Sequence, residues 1–266
     1  MHTLEIKDLK ASVDNKIILD GFNIKINSNE THVIMGPNGT GKSTLLKVIM
    51  GDPNYTILSG DILYDGESIL NKTVDERARL GLFLTMQSPL EIEGVSNADF
   101  LKSAVQERDK KNFKLFKFIK DLESNYDKLD FNKEFIHRGV NVGFSGGERK
   151  KNEILQMYML NPDIVMLDEI DSGLDVDSLK IVGKNITQYK KESKCGLLVV
   201  THYQRLLDYI KPEFVHIMVN GKIVKSGDKS LVDYVEENGY GEVKNNSSKK
   251  NIIVGTCAMK EKLKNE

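Results

Sequence analysis

The segment Gly36-Pro37-Asn38-Gly39-Thr40-Gly41-Lys42-Ser43-Thr44 carries the spacing G-x-x-x-x-G-K-[ST]. Glycines at these intervals let backbone N–H groups approach an oxyanion, Lys42 can neutralise phosphate oxygens, and the Ser43 hydroxyl suits a magnesium ion. A helix that starts at Lys42 adds the positive end of its dipole. The chemistry implied is the cradling of a polyphosphate by Gly36, Asn38, Gly39, Thr40, Gly41, Lys42, Ser43 and Thr44. A plain glycine turn capping a helix is the bland alternative, and it loses ground once the apolar run before the loop and the helical pattern after it are counted.

Two further segments have the right types for hydrolysis. The apolar run Ile164-Val165-Met166-Leu167 ends in Asp168-Glu169. A strand end there would let Asp168 hold magnesium through water and Glu169 polarise an attacking water as general base. Many buried strands end in acids, so this pattern gains its weight from the phosphate loop upstream. Phe144-Ser145-Gly146-Gly147-Glu148 leads into the helical spacing Ile154, Leu155, Met157 and Leu160. That makes either a second anion-binding helix start or an ordinary helix capped by Ser145.

These groups need elements to hold them. Leu4-Glu5-Ile6-Lys7-Asp8-Leu9 and Phe22-Asn23-Ile24-Lys25-Ile26-Asn27 alternate apolar and polar residues, predicting antiparallel strands about a turn marked by Asp20-Gly21. Thr31-His32-Val33-Ile34-Met35 predicts a buried strand running into Gly36, with a helix from Lys42 on Leu45, Leu46 and Ile49. From about residue 75 to 160 the texture is mostly helical. Leu115, Phe116, Ile119 and Leu122 are spaced to fill one helix face there, with Lys114, Lys117 and Lys120 on its solvated side. Runs at 163–168 and 195–202, separated by a helical stretch at 176–192, predict βαβ alternation and a mostly parallel sheet. A hairpin is expected at Asn220-Gly221. The expected fold class is α/β: a mixed sheet core with an antiparallel β subdomain and an inserted helical subdomain at about 88–160. One domain should span 1–243, followed by a loosely held tail at 244–266.

Composition fits such a fold and excludes others. With 266 residues, 39% apolar and 29% charged, the chain can bury a core without disulfides or metals. Lys+Arg 38 nearly balances Asp+Glu 39, so no basic field exists to draw nucleic acid from a distance. Cys195 and Cys257 lie far apart and outside any Cys-x-x-Cys or Cys/His cluster, which argues against a disulfide framework or a zinc site. No apolar signal-peptide core opens the chain, and no apolar run reaches the roughly 18–20 residues needed to span a bilayer. A cytoplasmic protein without direct membrane insertion is expected.

The phosphate loop, Gln87, the Ser145-Gly146-Gly147 segment, Asp168-Glu169, Ser172-Gly173-Leu174-Asp175 and His202 follow one another as in ATP-binding cassette (ABC) ATPases, which the chain resembles. The resemblance implies a P-loop ABC ATPase cassette that takes ATP and Mg²⁺. It makes Ser145-Gly146-Gly147 the signature, Gln87 the Q-loop glutamine, residues 172–175 the D-loop and His202 the switch histidine. Catalysis then falls to Glu169, His202 and Gln87, and magnesium to Ser43, Gln87 and Asp168. Ser145, Gly146 and Gly147 would meet the nucleotide of a second copy in an ATP-dependent head-to-tail homodimer. Longer segments, residues 87–97, 140–148 and 201–212, are similar to the SufC family, the ATPase subunits of SUF iron–sulfur cluster assembly systems. That likeness implies SufB/SufD-like scaffold partners and an ATP-driven change in their conformation. The ATP-binding subunit of an ABC membrane transporter is the alternative, since it too lacks a spanning segment. DNA-repair ABC ATPases need long heptad coiled coils, for which the helical stretch is too short. Many ABC ATPases stack adenine on an aromatic residue near the first strands, but residues 11–19 contain none and Val13 stands about where it would be.

Overall fold

The computed structural model describes residues 1–201 and 204–240. The expected tail at 244–266, with Cys257, lies outside the described residues, as does His202. Strands β1 (Thr3–Val13) and β2 (Lys16–Asn27) pair antiparallel. Their turn falls at Asp14-Asn15, both left-handed at φ 46 and 61, and not at Asp20-Gly21 as the sequence suggested. Leu9 pairs with Phe22 but Lys10 with Asp20, which makes Gly21, at φ 80, the extra residue of a bulge inside β2. Asp-Gly suits a bulge as well as a turn, because glycine supplies the positive φ that either needs.

Strand β3 (Thr31–Met35) leads through the glycine loop into helix α1 (Lys42–Met50). Strands β4 (Thr56–Tyr64) and β5 (Glu67–Ser68) complete an antiparallel sheet of order β2-β1-β4-β5 among the described residues. After α2 (Val74–Leu80) and β6 (Leu82–Leu84), the stretch expected to be helical holds α3 (Asn97–Arg108), α4 (Leu115–Lys128) and α5 (Gly146–Leu160). It also contains a short ladder the sequence reading missed, in which β7 (Ile92–Ser96) pairs with β8 (Gly139–Val140). The face that α4 buries is Phe118, Leu122 and Tyr126, while Leu115, Phe116 and Ile119 are exposed, Phe116 at 91%. Phe116 lies about 160° round the helix from Phe118, so one packed face cannot hold both.

Next come β9 (Ile164–Asp168), α6 (Val176–Ser193), β10 (Gly196–Val200), α7 (Gln204–Ile210), the hairpin β11 (Phe214–Val219) and β12 (Lys222–Gly227), and α8 (Ser230–Asn238). The main sheet runs β12-β11-β3-β10-β9-β6, parallel except for β12. Every residue of β3, β9 and β10 is buried, as expected where both faces of a parallel sheet are covered. Val33, Leu167 and Val199 point to the layer of α5 and α6, whereas Ile34, Met166 and Leu198 pack with Leu45, Leu46 and Ile49 of α1 and with the antiparallel sheet. The ends of β3 and β9 are thereby fixed beside α1. Those ends carry the phosphate loop and Asp168-Glu169.

Candidate functional site

The loop from Gly36 to Gly41 is shaped by close backbone approach. A Cβ at Gly36 would stand 2.2 Å from the carbonyl oxygen of Met218 on β11, so no side chain fits. Gly41 precedes α1 at φ 101, a conformation open to glycine. Lys42 is 5% exposed, and its Nζ donates to the carbonyls of Gly36 at 2.8 Å and Pro37 at 3.0 Å. Burial pulls the Lys42 ammonium below its usual range, opposed by the nearby charges of Glu169 and Asp168. An arriving phosphate would give this buried cation the counter-charge that its carbonyl partners do not.

Asp168 ends β9, and one of its carboxylate oxygens accepts from Ser43 Oγ at 2.9 Å. Burial raises its carboxyl, and the Ser43 hydrogen bond offsets part of that. A hydroxyl and a carboxylate in contact form a hard oxygen donor pair, which fits magnesium. No group of three or more His, Cys, Asp or Glu able to hold a metal occurs among the described residues. A magnesium ion here would therefore complete its shell with phosphate oxygens and water, the usual manner for this ion.

Glu169 follows in the left-handed region, φ 46, which is uncommon for a residue with a side chain and marks local strain. Its N–H donates to the Val200 carbonyl at 2.9 Å, and its carboxylate accepts from Gln87 Nε2 at 2.9 Å. Gln87 comes from the segment after β6, so three parts of the chain meet here. Asn38, Gly39, Gly41, Lys42, Ser43, Thr44, Gln87 and Glu169 line one cavity of about 430 Å³. Ile18 of β2 supplies its apolar wall, and Val13, at the far end of β1, is not among the lining residues. A larger groove of about 900 Å³ runs between α4 and the ends of α3 and α5, past Arg108, Lys128 and Tyr158. It contains none of the sequence-predicted residues, so size does not identify the site.

The signature segment lies apart from this cavity. Ser145 caps α5, accepting from the Glu148 N–H at 3.3 Å while the Glu148 carboxylate accepts from the Ser145 N–H at 2.7 Å. Ser145 and Gly146 are exposed. An added Cβ at Gly147 would sit 3.0 Å from Ser178 Oγ at the start of α6, but at Gly146 it would meet nothing within 4 Å. Asp175 caps α6 by accepting from the Ser178 N–H at 2.7 Å. Within one chain, then, most of the predicted residues divide into a lined cavity and an open helix end, with Gly36, Thr40 and Asp168 not among the lining and His202 outside the described residues.

Besides Ile18, three contributors were not marked by the sequence motifs. Asp171 accepts from Thr201 Oγ1 at 2.5 Å, tying the end of β10 to the loop after Glu169. Lys150 and Glu153 form a buried ion pair beneath Met86 and Gln87. Two charges three apart on an otherwise apolar helix face were a legible signal for that pair; no local pattern pointed to Asp171.

With this geometry in view, residues 19–172 match the family described as ABC transporter. The chain is 51% identical over 244 residues to Vegetative protein 296 of Bacillus subtilis (strain 168), covering 91% of this chain and 93% of that protein. It is 52% identical over 241 residues to the Probable ATP-dependent transporter ycf16 of Pyropia yezoensis, covering 89% and 96%. Among solved structures, the dimeric bacterial ABC transporter cassette MJ0796 superposes with a TM-score of 0.73 at 18% identity, covering 85% of this chain and 98% of that one. The ADP conformation of the cassette MJ1267 gives 0.73 at 22% identity, covering 94% and 100%. The chain belongs to the ABC transporter family of ATP-binding cassettes. It is an α/β ABC ATPase, and no helix among the described residues is long and apolar enough to cross a membrane.

Proposed function

We propose that two copies of this chain pair head to tail around two ATP molecules and drive a conformational change in a SufB/SufD-like scaffold during iron–sulfur cluster assembly. The observation that carries the pairing is the division of the site: the cavity is lined by Lys42, Ser43, Gln87 and Glu169, while Ser145 and Gly146 are exposed and take no part in its lining. In the proposed dimer each cavity is closed by the other copy's signature, whose helix N-terminus and Ser145 hydroxyl donate to the γ-phosphate.

Within one copy, the loop N–H groups and Lys42 hold the β- and γ-phosphates. Ser43, Asp168 and Gln87 would hold magnesium, which when bound neutralises charge on the phosphate oxygens. Glu169, oriented by Gln87, accepts the proton of the attacking water as its oxygen bonds to the γ-phosphorus and the bond to the β-bridging oxygen breaks. His202, next to the Asp171-bonded Thr201, is assigned to the γ-phosphate.

The choice of scaffold rests on the segments at 87–97, 140–148 and 201–212, whose likeness is to SufC-type subunits. Action on the cytoplasmic side, without membrane insertion, goes with this reading. A second reading, the ATP-binding subunit of a membrane transporter, is favoured by the printed names of relatives such as the Probable ABC transporter ATP-binding protein SpyM3_0208 of Streptococcus pyogenes. Co-purification separates them: a SufB/SufD-like pair supports the first, a membrane permease the second. Glu169→Gln tests the chemistry. It should bind ATP, accumulate as a dimer by sedimentation and lose roughly 10²- to 10⁴-fold in kcat; normal turnover would mean Glu169 is not the base.

A further inference from the structure

The first two turns of the signature helix hold the Q-loop from below. Lys150 and Glu153 are each 4% exposed, one helical turn apart on the inner face of α5. Lys150 Nζ uses all three of its protons: on the Met86 carbonyl at 2.7 Å, the Gln87 carbonyl at 3.1 Å and the Glu153 carboxylate at 3.3 Å. The second Glu153 oxygen accepts a short hydrogen bond from the Met86 N–H. Next to them, Asn152 donates to Asn141 Oδ1 at 2.9 Å, and Asn141 Nδ2 donates to the Leu90 carbonyl at 2.8 Å. Arg149 pairs with Glu91 at the outer edge. Residues 86–91 belong to no helix or strand, so these side chains supply the partners that regular structure would otherwise give.

A buried ion pair is a poor way to gain stability, because desolvation cancels most of its attraction and apolar residues of the same size do as well. Its contribution here is positional. The pair holds both the N–H and the carbonyl of Met86 and the carbonyl of Gln87, the residue whose side chain meets Glu169 at 2.9 Å.

We infer that Lys150 and Glu153 are positioning residues that lock the Q-loop to the signature helix, so that Gln87 and the signature move as one body. Docking of the signature on the other copy's nucleotide then fixes Gln87 against Glu169 in its own cavity, and the two sites of the dimer are linked through this buried pair. The inference rests on the proposed roles of Gln87 and Glu169.

The test compares kcat and KM for ATP in the full chain carrying Lys150→Met, Glu153→Gln, Gln87→Ala, and Gln87→Ala with Lys150→Met. Glu153→Gln keeps the volume and an acceptor for Met86, so it remains informative should Lys150→Met fail to fold. Lys150→Met and Glu153→Gln should lower kcat by about 10- to 100-fold, the scale of a small misplacement of a catalytic group. KM for ATP should stay within about twofold, since the phosphate loop is untouched. The double variant should be no slower than Gln87→Ala alone, because both changes remove one function. If Gln87→Ala loses activity while Lys150→Met and Glu153→Gln keep wild-type kcat, or if the losses in the double variant multiply, the positioning role is wrong and the proposed chemistry stands. If Gln87→Ala itself keeps wild-type kcat, the proposed chemistry fails and the inference with it.

Discussion

Gly146→Asp separates the folding of one chain from the assembly of two. Position 146 opens α5, a Cβ there meets nothing within 4 Å, and the backbone is not in the left-handed region. Within the chain the aspartate therefore costs no packing. Replacing glycine by aspartate in a helix gains a few tenths of a kcal/mol at most, and a carboxylate in the first turn adds about 0.3–1 kcal/mol through the helix dipole. The melting temperature should hold or rise slightly. In the proposed dimer the same carboxylate faces the γ-phosphate of the other copy's ATP. Two unit charges of like sign about 4 Å apart repel by about 4 kcal/mol at an effective dielectric of 20, and the two sites of the dimer together by about 8 kcal/mol, or roughly a millionfold in association. Sedimentation with ATP, in a Glu169→Gln background that traps the closed state, should show a dimer without Gly146→Asp and a monomer with it. A variant that melts normally and still dimerises with ATP would refute the placement of the signature at the other copy's nucleotide. An early melt would refute the claim that this glycine faces open space.

Two further outcomes follow from the geometry. The cavity wall is Ile18, an aliphatic side chain that offers neither stacking nor a base-specific hydrogen bond, so kcat/KM for GTP should fall within about tenfold of that for ATP; a thousandfold preference for ATP would contradict this. His32 and His216 share a buried hydrogen bond of 3.1 Å, burial pushing His216 down to about 3 and His32 below its usual value. Their folded pKa values lie below the unfolded value of about 6.5, so the stability tied to their neutral forms is complete above that pH and is lost as pH falls toward 3. Melting temperature should drop from pH 7 to pH 4 more steeply in the wild type than in His216→Gln, and parallel profiles would contradict it.

The phosphate loop was legible because its chemistry is local: glycines, Lys42 and Ser43 sit within nine residues, and β3 and α1 form where apolar runs flank them. The parallel strands β9 and β10 were legible as uninterrupted apolar runs, and the β11–β12 hairpin as Asn220-Gly221, at φ 48 and 74. What escaped depends on partners distant in sequence. Nothing near Ile18 marks it as a cavity wall, since its neighbours there come from residues 38–44, 87 and 169. The turn at Asp14-Asn15 was hidden by an equally good turn signal at Gly21, where register with β1 decides the outcome. On α4, spacing alone could not choose between faces; the packing of Phe118 and Tyr126 against Phe113, Phe131 and the core did.

Mixing two inactive variants tests the shared site most directly. Lys42→Met disables a copy's own phosphate loop, and Gly146→Asp disables the signature it lends. In a mixture, each heterodimer has one intact site made of the Gly146→Asp copy's loop and the Lys42→Met copy's signature. ATP-dependent dimers should then reappear by sedimentation, with ATPase activity up to about half of the wild-type rate per chain if the sites act independently and less where the Lys150–Glu153 link couples them. If each variant alone is inactive and the mixture neither dimerises with ATP nor hydrolyses it at any ratio, the two halves of the site are not shared between copies.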